Sequence, residues 1–314
     1  MSGLLAIDAS RKNGIVETTP YTLITYSGYA LYKFSKPGSH TFYNPEGRWY
    51  QILLVAGGGS GGGMGFAGSN GGGGGGAGGV CYYDHHYFAK GSYILHVGAG
   101  GNARNDQTQN AGTNDGNLNN SGNGENTWID GLRTVAIGGG AGGGDANQTN
   151  QPGQPGGNGG GGGNDSGTGS PGTSNQGNSG GNATYGTNQY AGGGGGWTAN
   201  AYTSGRGGNG LTEGTAVYDF SHASGRTATL PTNFQNGSSN TIYAGGGSSG
   251  RWNQAGQATA GTGGGGAGGT QGNHGNAGTD GLGGGGGGAS AAPGILNRHG
   301  GKGGNGVILM RWKV

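Results

Sequence analysis

Cysteine, proline, charge and helix signals are all scarce in this 314-residue chain. Cys81 is the single cysteine, so no intrachain disulfide can form and nothing implies oxidative export. Charged residues make up only 9%, and the fifteen basic side chains are scattered among thirteen acidic ones without a run of Lys or Arg. A phosphate-neutralising surface for nucleic acid is therefore not expected. No stretch approaches the roughly 20 apolar residues that cross a bilayer as a helix. Met1–Ile7 is a short apolar run with no basic start, cut by Asp8, so no secretory signal is expected. No segment carries a 3.6-residue apolar stripe between credible caps, which predicts almost no α-helix. The 8 prolines are too few for collagen, which needs unbroken Gly-X-Y triplets rich in proline.

Glycine fills the space: 91 of 314 residues. Gly loses more backbone freedom on folding than any other residue. The chain is then either a disordered polymer or one whose glycines sit where only Gly fits. Disorder usually brings high net charge and few aromatics. Here the net charge is +2, with 15 Tyr and 5 Trp, which favours order. Some pieces read as strand: Tyr21–Tyr26 and Tyr29–Phe34 as a hairpin followed by a turn at Pro37–Gly38, then Trp49–Val55, Tyr93–Val97 and Val307–Trp312. Thr127–Ile137 is a weaker candidate, interrupted by Gly131.

Between these strands the glycines keep a three-residue period. Gly263, Gly266, Gly269, Gly272, Gly275, Gly278, Gly281 and Gly284 form the longest series. Gly59 to Gly74 and Gly153 to Gly162 hold shorter ones. Helices of the polyproline II type have three residues per turn and no internal hydrogen bonds. A three-residue period lays one bare glycine ridge along such a helix. Neighbouring helices can then approach and satisfy each other's N–H and C=O groups.

Residues for chemistry are harder to find. The one Gly-Lys pair, Gly301–Lys302, has Leu296 where a phosphate-binding loop needs its first Gly and Gly303 where it needs a hydroxyl. Asp84–His85–His86 is the densest group of potential ligands, but the adjacent histidines point to opposite sides of an extended chain. They read as exposed loop side chains, and His96 as a half-buried strand residue. Neither a catalytic role, a metal nor a cofactor is assigned. The aromatics of the glycine-rich half stand where the chain departs from Gly. They plug the bundle ends or form a recognition surface, in which Tyr and Trp give large contact area at low entropic cost. Tyr202, Tyr218, Phe220, Phe234 and Trp252 are the receptor-binding candidates.

An ordered series of blocks resembles the glycine-rich domains of bacteriophage tail fibres and tip adhesins. These are LLVAGGGSGGG at Leu53–Gly63, LHVGAGG at Leu95–Gly101, TVAIGGGAGGG at Thr134–Gly144, YAGGGGGW at Tyr190–Trp197, YAGGGSSG at Tyr243–Gly250 and GGNGVILMRW at Gly303–Trp312. The resemblance covers about residues 40–314 and implies a small antiparallel β-sandwich base with a bundle of polyglycine II helices, serving in host-surface recognition. Unlike the usual fibre, this chain has no long shaft before the domain.

The expectation is a mainly β protein in two parts. Residues 1–40 are an N-terminal attachment segment with the first strands, and residues 41–314 the glycine-rich domain. The function expected is a virion fibre or tip that adheres to a host-surface polysaccharide or outer-membrane protein. Its N-terminal segment would meet other virion proteins, and a homo-oligomer such as a trimer is compatible. The protein would be made in the host cytoplasm and carried on the outside of the virion. A purely structural virion decoration is the main alternative; an ice-binding protein fits the aromatic insertions less well, and a cellular matrix or surface protein is disfavoured by the expected lack of a secretory signal. Exposure of segment 213–243 separates adhesin from decoration.

Overall fold

The computed structural model describes residues 21–314 apart from residues 27, 65–70, 104–121, 147–148, 164–165, 185–189, 202–203, 223–225, 233, 236–240, 252–257 and 293–297. Within them the protein is mainly β and contains no helix of the α type. The strands are β1 (Thr22–Tyr26), β2 (Tyr29–Phe34), β3 (Gly38–Asn44), β4 (Arg48–Val55), β5 (Val80–Phe88), β6 (Gly91–Val97) and β7 (Trp128–Ile129). They continue with β8 (Asp145–Ala146), β9 (Thr149–Asn150), β10 (Leu211–Thr212), β11 (Ala216–Asp219), β12 (Arg226–Thr229), β13 (Ile242–Tyr243) and β14 (Val307–Lys313).

A seven-stranded sheet runs in the order β1-β2-β14-β4-β5-β11-β12, with a three-stranded sheet β3-β6-β7 beside it. The closing strand β14 lies between β2 and β4, pairing Ile308 with both Phe34 and Leu54. The first strands thus share a sheet with the last; residues 1–20 lie outside the described residues. Pairing is antiparallel throughout except where β11 meets β5 in parallel at Asp219 and Tyr82. The expected hairpin and the strands near 49–55, 93–97 and 307–312 are all present.

Both faces of the large sheet are buried, which is why β4 and β14 read as continuous apolar runs. Tyr50, Ile52, Leu54, Cys81, Tyr83, Ile308 and Met310 pack with Phe42, Leu95, Val97 and Ile129 of the smaller sheet. On the opposite face Leu53, Val55, Tyr82, Val307 and Leu309 pack with Leu211, Val217, Leu230, Phe234 and Tyr243. The covering layer on that face comes from β10, β13 and the stretch around Leu230 and Phe234, while β11 and β12 between them extend the edge of the sheet itself.

The glycine segments grow out of this base as three-residue-per-turn helices, as their hydrogen bonds show. Successive amides address three different neighbours, and every third amide returns to the same one. Gly57 and Ser60 donate to Glu125 and Gly122, Gly58 and Gly61 to Gly304 and Gly301, and Gly59 and Gly62 to Gly76 and Gly73.

The helix of residues 71–79 stands at the centre. Its amides donate to residues 283–289 (from Gly72, Gly75 and Gly78), 137–143 (from Gly73, Gly76 and Gly79) and 192–195 (from Gly74 and Ala77). Its carbonyls accept from Gly59 and Gly62, from Asn158 and Gly161, and from Gly247 and Gly250. Six neighbours therefore surround it in three donating and three accepting directions. All run antiparallel except 192–195, whose pairings rise together with those of the central helix. No backbone N–H between Gly72 and Gly79 lacks a partner.

Packing this close leaves almost no place for a side chain; the one in this helix is the buried methyl group of Ala77. A Cβ on Gly72, Gly73, Gly74, Gly75 or Gly76 would sit well inside contact distance of a carbonyl oxygen of Gly62, Gly161, Gly247, Gly59 or Asn158 respectively. All three columns of the inner helix are thus restricted, and the sequence there is GGGGGGAGG. The outer helix 273–279 reads NHGNAGT: only Gly275 and Gly278 face a neighbouring backbone, while Asn273, His274, Asn276 and Ala277 are exposed.

The eight-glycine ridge is corrected in one respect. Gly266, Gly269, Gly275, Gly278 and Gly284 do face neighbouring carbonyls. Gly263, Gly272 and Gly281 instead occupy chain reversals with φ of 95°, 77° and 76°, a left-handed conformation that suits Gly. The period survives the reversals because they come nine residues apart, a multiple of three. One apparent helix is three shorter ones.

Candidate functional site

The described candidates fall in the base. Phe234 is a correction: it is fully buried in the second core, edge-on to Tyr82 at 6.1 Å and under the Arg311 guanidinium at 4.5 Å. Its amide donates to Glu213 at 2.9 Å and its carbonyl accepts from the Tyr26 hydroxyl. Phe234 is a core plug, not a contact residue. Tyr218 and Phe220 are half-buried, edge to face at 4.7 Å, with Phe220 packed toward Tyr83 at 6.1 Å. Tyr202 and Trp252 lie outside the described residues.

Segment 213–243 is accordingly part of the base over much of its described length, with β11 and β12 as edge strands of the sheet and Leu230 and Phe234 over its face. Val217, Asp219, Leu230, Phe234 and Tyr243 are buried in it. A polar chain pins it in place. Arg311 Nε donates to Gln51 at 2.8 Å, and Gln51 and the Tyr82 hydroxyl each donate to Asp84 at 2.9 Å. Arg226 bridges Asp84 at 3.1 Å and Asp219 at 2.8 Å. Burial alone would raise the Asp219 carboxyl, but hydrogen bonds from Ser221, Arg226 and the Asp84 amide outweigh it and hold the pKa below the ordinary value. Deep in the same layer, burial first and the Glu213 carboxylate second push the Tyr243 hydroxyl well up.

Asp84–His85–His86 is not a loop but the middle of β5. The adjacent histidines do face opposite ways: His85 stacks on exposed Trp49 at 4.0 Å, while His86 packs edge-on to Phe88 at 4.7 Å. His96 is half-buried in β6, as expected. Among the described residues no group of three His, Cys, Asp or Glu side chains is placed to hold a metal ion. Nor is any helix there long and apolar enough to cross a membrane.

Two features could receive a partner. The first is the end of the bundle remote from the sheets. From Val55 to Met64 the helix climbs about 28 Å at the three-per-turn rise of ~3.1 Å per residue. There Met64 bridges Arg298, Gly71 bridges Ser290, and Tyr190 bridges both Thr184 and Arg251. The residues that bracket segments 65–70, 185–189, 252–257 and 293–297 are thereby tied together, and the Arg251 guanidinium lies 4.8 Å over the Tyr190 ring.

The second is a groove of about 480 Å³ where the smaller sheet meets the bundle, lined by His96, Asn123, Glu125, Asn126, Trp128, Ile137 and Pro155 over Gly124, Gly138 and Gly156. His96 and Trp128 are cross-strand partners whose rings are held within 10° of parallel. Sequence reasoning passed over it. Trp128 stood in a weak strand candidate, and the other lining residues come from distant segments that only the fold assembles.

A comparison with curated proteins finds no match. The family model described as a glycine-rich domain matches residues 35–313. That span begins just after β2 and ends with β14, and so takes in the smaller sheet, five of the seven strands of the larger one and the whole bundle. The chain belongs to this glycine-rich domain family.

Proposed function

We propose that this protein is a bacteriophage virion fibre or tip protein that attaches the particle to its host's surface. The observation that supports this reading is the division of labour in the bundle. A glycine lattice with its backbone groups paired makes a stiff support, and the residues that bracket segments 65–70, 185–189, 252–257 and 293–297 meet at its free end. Binding residues concentrate in loops held on a rigid scaffold, and a bare glycine surface offers a ligand little to discriminate. Tyr202, Tyr218, Phe220 and Trp252 are the recognition candidates that remain after Phe234 is assigned to the core, and Trp252 falls in one of these segments.

The test is direct binding. A fluorescent fusion of the full chain should bind a subset of strains in a bacterial panel, saturably, and competition with unlabelled protein should remove the signal. Trp252→Ala should weaken that binding about tenfold or more while leaving the melting temperature unchanged. Binding to no strain, together with antibody labelling confined to the particle head, would favour a structural decoration instead.

A further inference from the structure

The groove beside β7 has the chemical make-up of a saccharide site. A pyranose presents a C–H face that stacks on an aromatic ring and a rim of hydroxyls that both donate and accept. Trp128 offers the ring, half-exposed and steadied by parallel His96 at 5.9 Å between centroids. The floor of glycines contributes no side chains, so a flat ligand can lie close to the backbone.

The rim carries an acceptor next to a donor. Glu125 uses one oxygen, Oε2, for both of its contacts, to the Ala99 amide at 3.2 Å and to His96 Nε2 at 3.4 Å. Its other oxygen has no partner among the described residues. Asn126 spends its Oδ1 on the Gly138 amide at 2.8 Å, and its NH₂ has no partner among the described residues. Both contacts orient exposed polar groups, the arrangement expected of a site made ready in advance. The volume falls within the roughly 300–1,000 Å³ of small-molecule sites.

We propose that this groove binds a neutral pyranose unit of an oligosaccharide. The ring lies against Trp128, and two adjacent hydroxyls are held by Glu125 Oε1 and Asn126 Nδ2. Charge sets the selectivity. No Lys or Arg lines the groove, and the Glu125 carboxylate stands at its rim, so an acidic sugar is repelled. The proposal stands on the groove alone and does not depend on the adhesion reading.

Isothermal titration of the full chain with three probes tests it: a neutral gluco-oligosaccharide, a neutral N-acetylhexosamine oligomer and an oligouronate. At least one neutral probe should bind, and the oligouronate about tenfold more weakly, a difference of ~1.4 kcal/mol. Trp128→Ala should lower the neutral affinity about tenfold. Glu125→Gln should narrow the gap between neutral and acidic probes. If Trp128→Ala lowers the melting temperature, Asn126→Ala, which removes an exposed side chain and its bond to the Gly138 amide but no packed ring, carries the test and should still weaken binding several-fold. Failure of both neutral probes to bind, an oligouronate that binds as tightly, or parental affinity in Asn126→Ala and in a folded Trp128→Ala each overturns the proposal. Cell binding without sugar binding would overturn this site and leave adhesion standing; sugar binding without cell binding would do the reverse.

Discussion

Along β4 the chain buries Tyr50, Ile52 and Leu54 on one face and Leu53 and Val55 on the other; a few residues later, from Gly57 to Gly62, it is just as buried with almost no side chains. The base is stabilised by apolar area removed from water, about 25 cal/mol per Å². The bundle has little such area. Each N–H···O=C bond adds only about 0.5–1.5 kcal/mol net, and each glycine carries an entropic penalty. The bundle therefore depends on nearly all of its bonds forming together, at a spacing that excludes a methyl group at most inner positions. Loss of one side chain leaves a cavity in the base, whereas gain of one atom splits the lattice.

The largest effect should follow from Gly75→Ala. Its Cβ would collide with the Gly59 carbonyl and crowd that of Ser60, and the central helix cannot retreat because neighbours enclose it on every side. Overpacking usually costs about 1–3 kcal/mol, and here broken hydrogen bonds add to it. Circular dichroism should show the cooperative melt shifted sharply down or lost. Asn276→Ala, on an exposed column, should stay within about 0.5 kcal/mol of the parent. Similar melting of the two variants would mean that the lattice is looser than its hydrogen bonds indicate.

The mirror-image change in the base is Phe234→Ala, which removes a ring rather than adding a methyl. A cost of about 3–5 kcal/mol in chemical denaturation is expected. Binding per folded molecule should be unaltered, because the ring lies beneath Arg311 and against Tyr82. Reduced binding at unchanged stability would return Phe234 to the recognition surface.

The two regions were also unequally legible. Strands β4 and β14 announce themselves because both of their faces are buried, so LLV and VILM appear as unbroken apolar runs. Strand β5 hid because its DHH centre is polar: Asp84 serves the Gln51–Arg226 network, and His85 and Tyr87 are exposed beside Trp49. An irregularity opposite Tyr50–Ile52 also breaks its alternation. Strand β3 opens on turn-like Gly38–Ser39 and brings its first apolar core residue only at Phe42. In the bundle the period of three was visible, but reversals at multiples of three leave it intact. Glycine density carries more information: six consecutive glycines mark an enclosed helix, and one glycine in three marks an outer one. The groove was not legible, since Trp128, His96 and Pro155 meet only through long-range topology.

Gly281 and Gly275 sharpen that distinction within one glycine series. Gly281 has φ of 76° and open space around it, so a side chain there is strained by about 1–2 kcal/mol, less for Asn, which tolerates the left-handed region. Gly275 faces the Gly287 carbonyl, where side-chain volume matters and backbone conformation does not. Gly281→Asn should therefore melt close to the parent and well above Gly281→Val. Gly275→Asn and Gly275→Val should both be strongly destabilised. Equal responses at the two positions would restore a single continuous ridge.

The smallest effect concerns how the edge strands β11 and β12 are fastened to the base, and it depends on pH. The Asp219 carboxyl has a folded pKa below its ordinary value of 3.8, against the push of burial, because Ser221, Arg226 and the Asp84 amide donate to it. A depressed carboxylate pKa contributes stability that is fully present above the unfolded value and is lost as pH falls through the folded one. Stability should thus be flat near neutrality with respect to this group and should decline below about pH 4. Asp219→Asn keeps an acceptor for the amides but loses the charge facing the exposed Arg226, so it should lower the melting temperature slightly at pH 7. Its melting temperature should converge on that of the parent as pH is lowered toward 3. The central helix contributes nothing to this term, since its bonds join uncharged amides and carbonyls. Amide exchange followed between pH 7 and pH 3.5, compared at equal intrinsic rate, should therefore show protection falling first in residues 216–229 while Gly72–Gly79 remain closed. Simultaneous opening of both regions would mean that edge strands and lattice form one cooperative unit, and the contrast between them would then be one of composition rather than of stability.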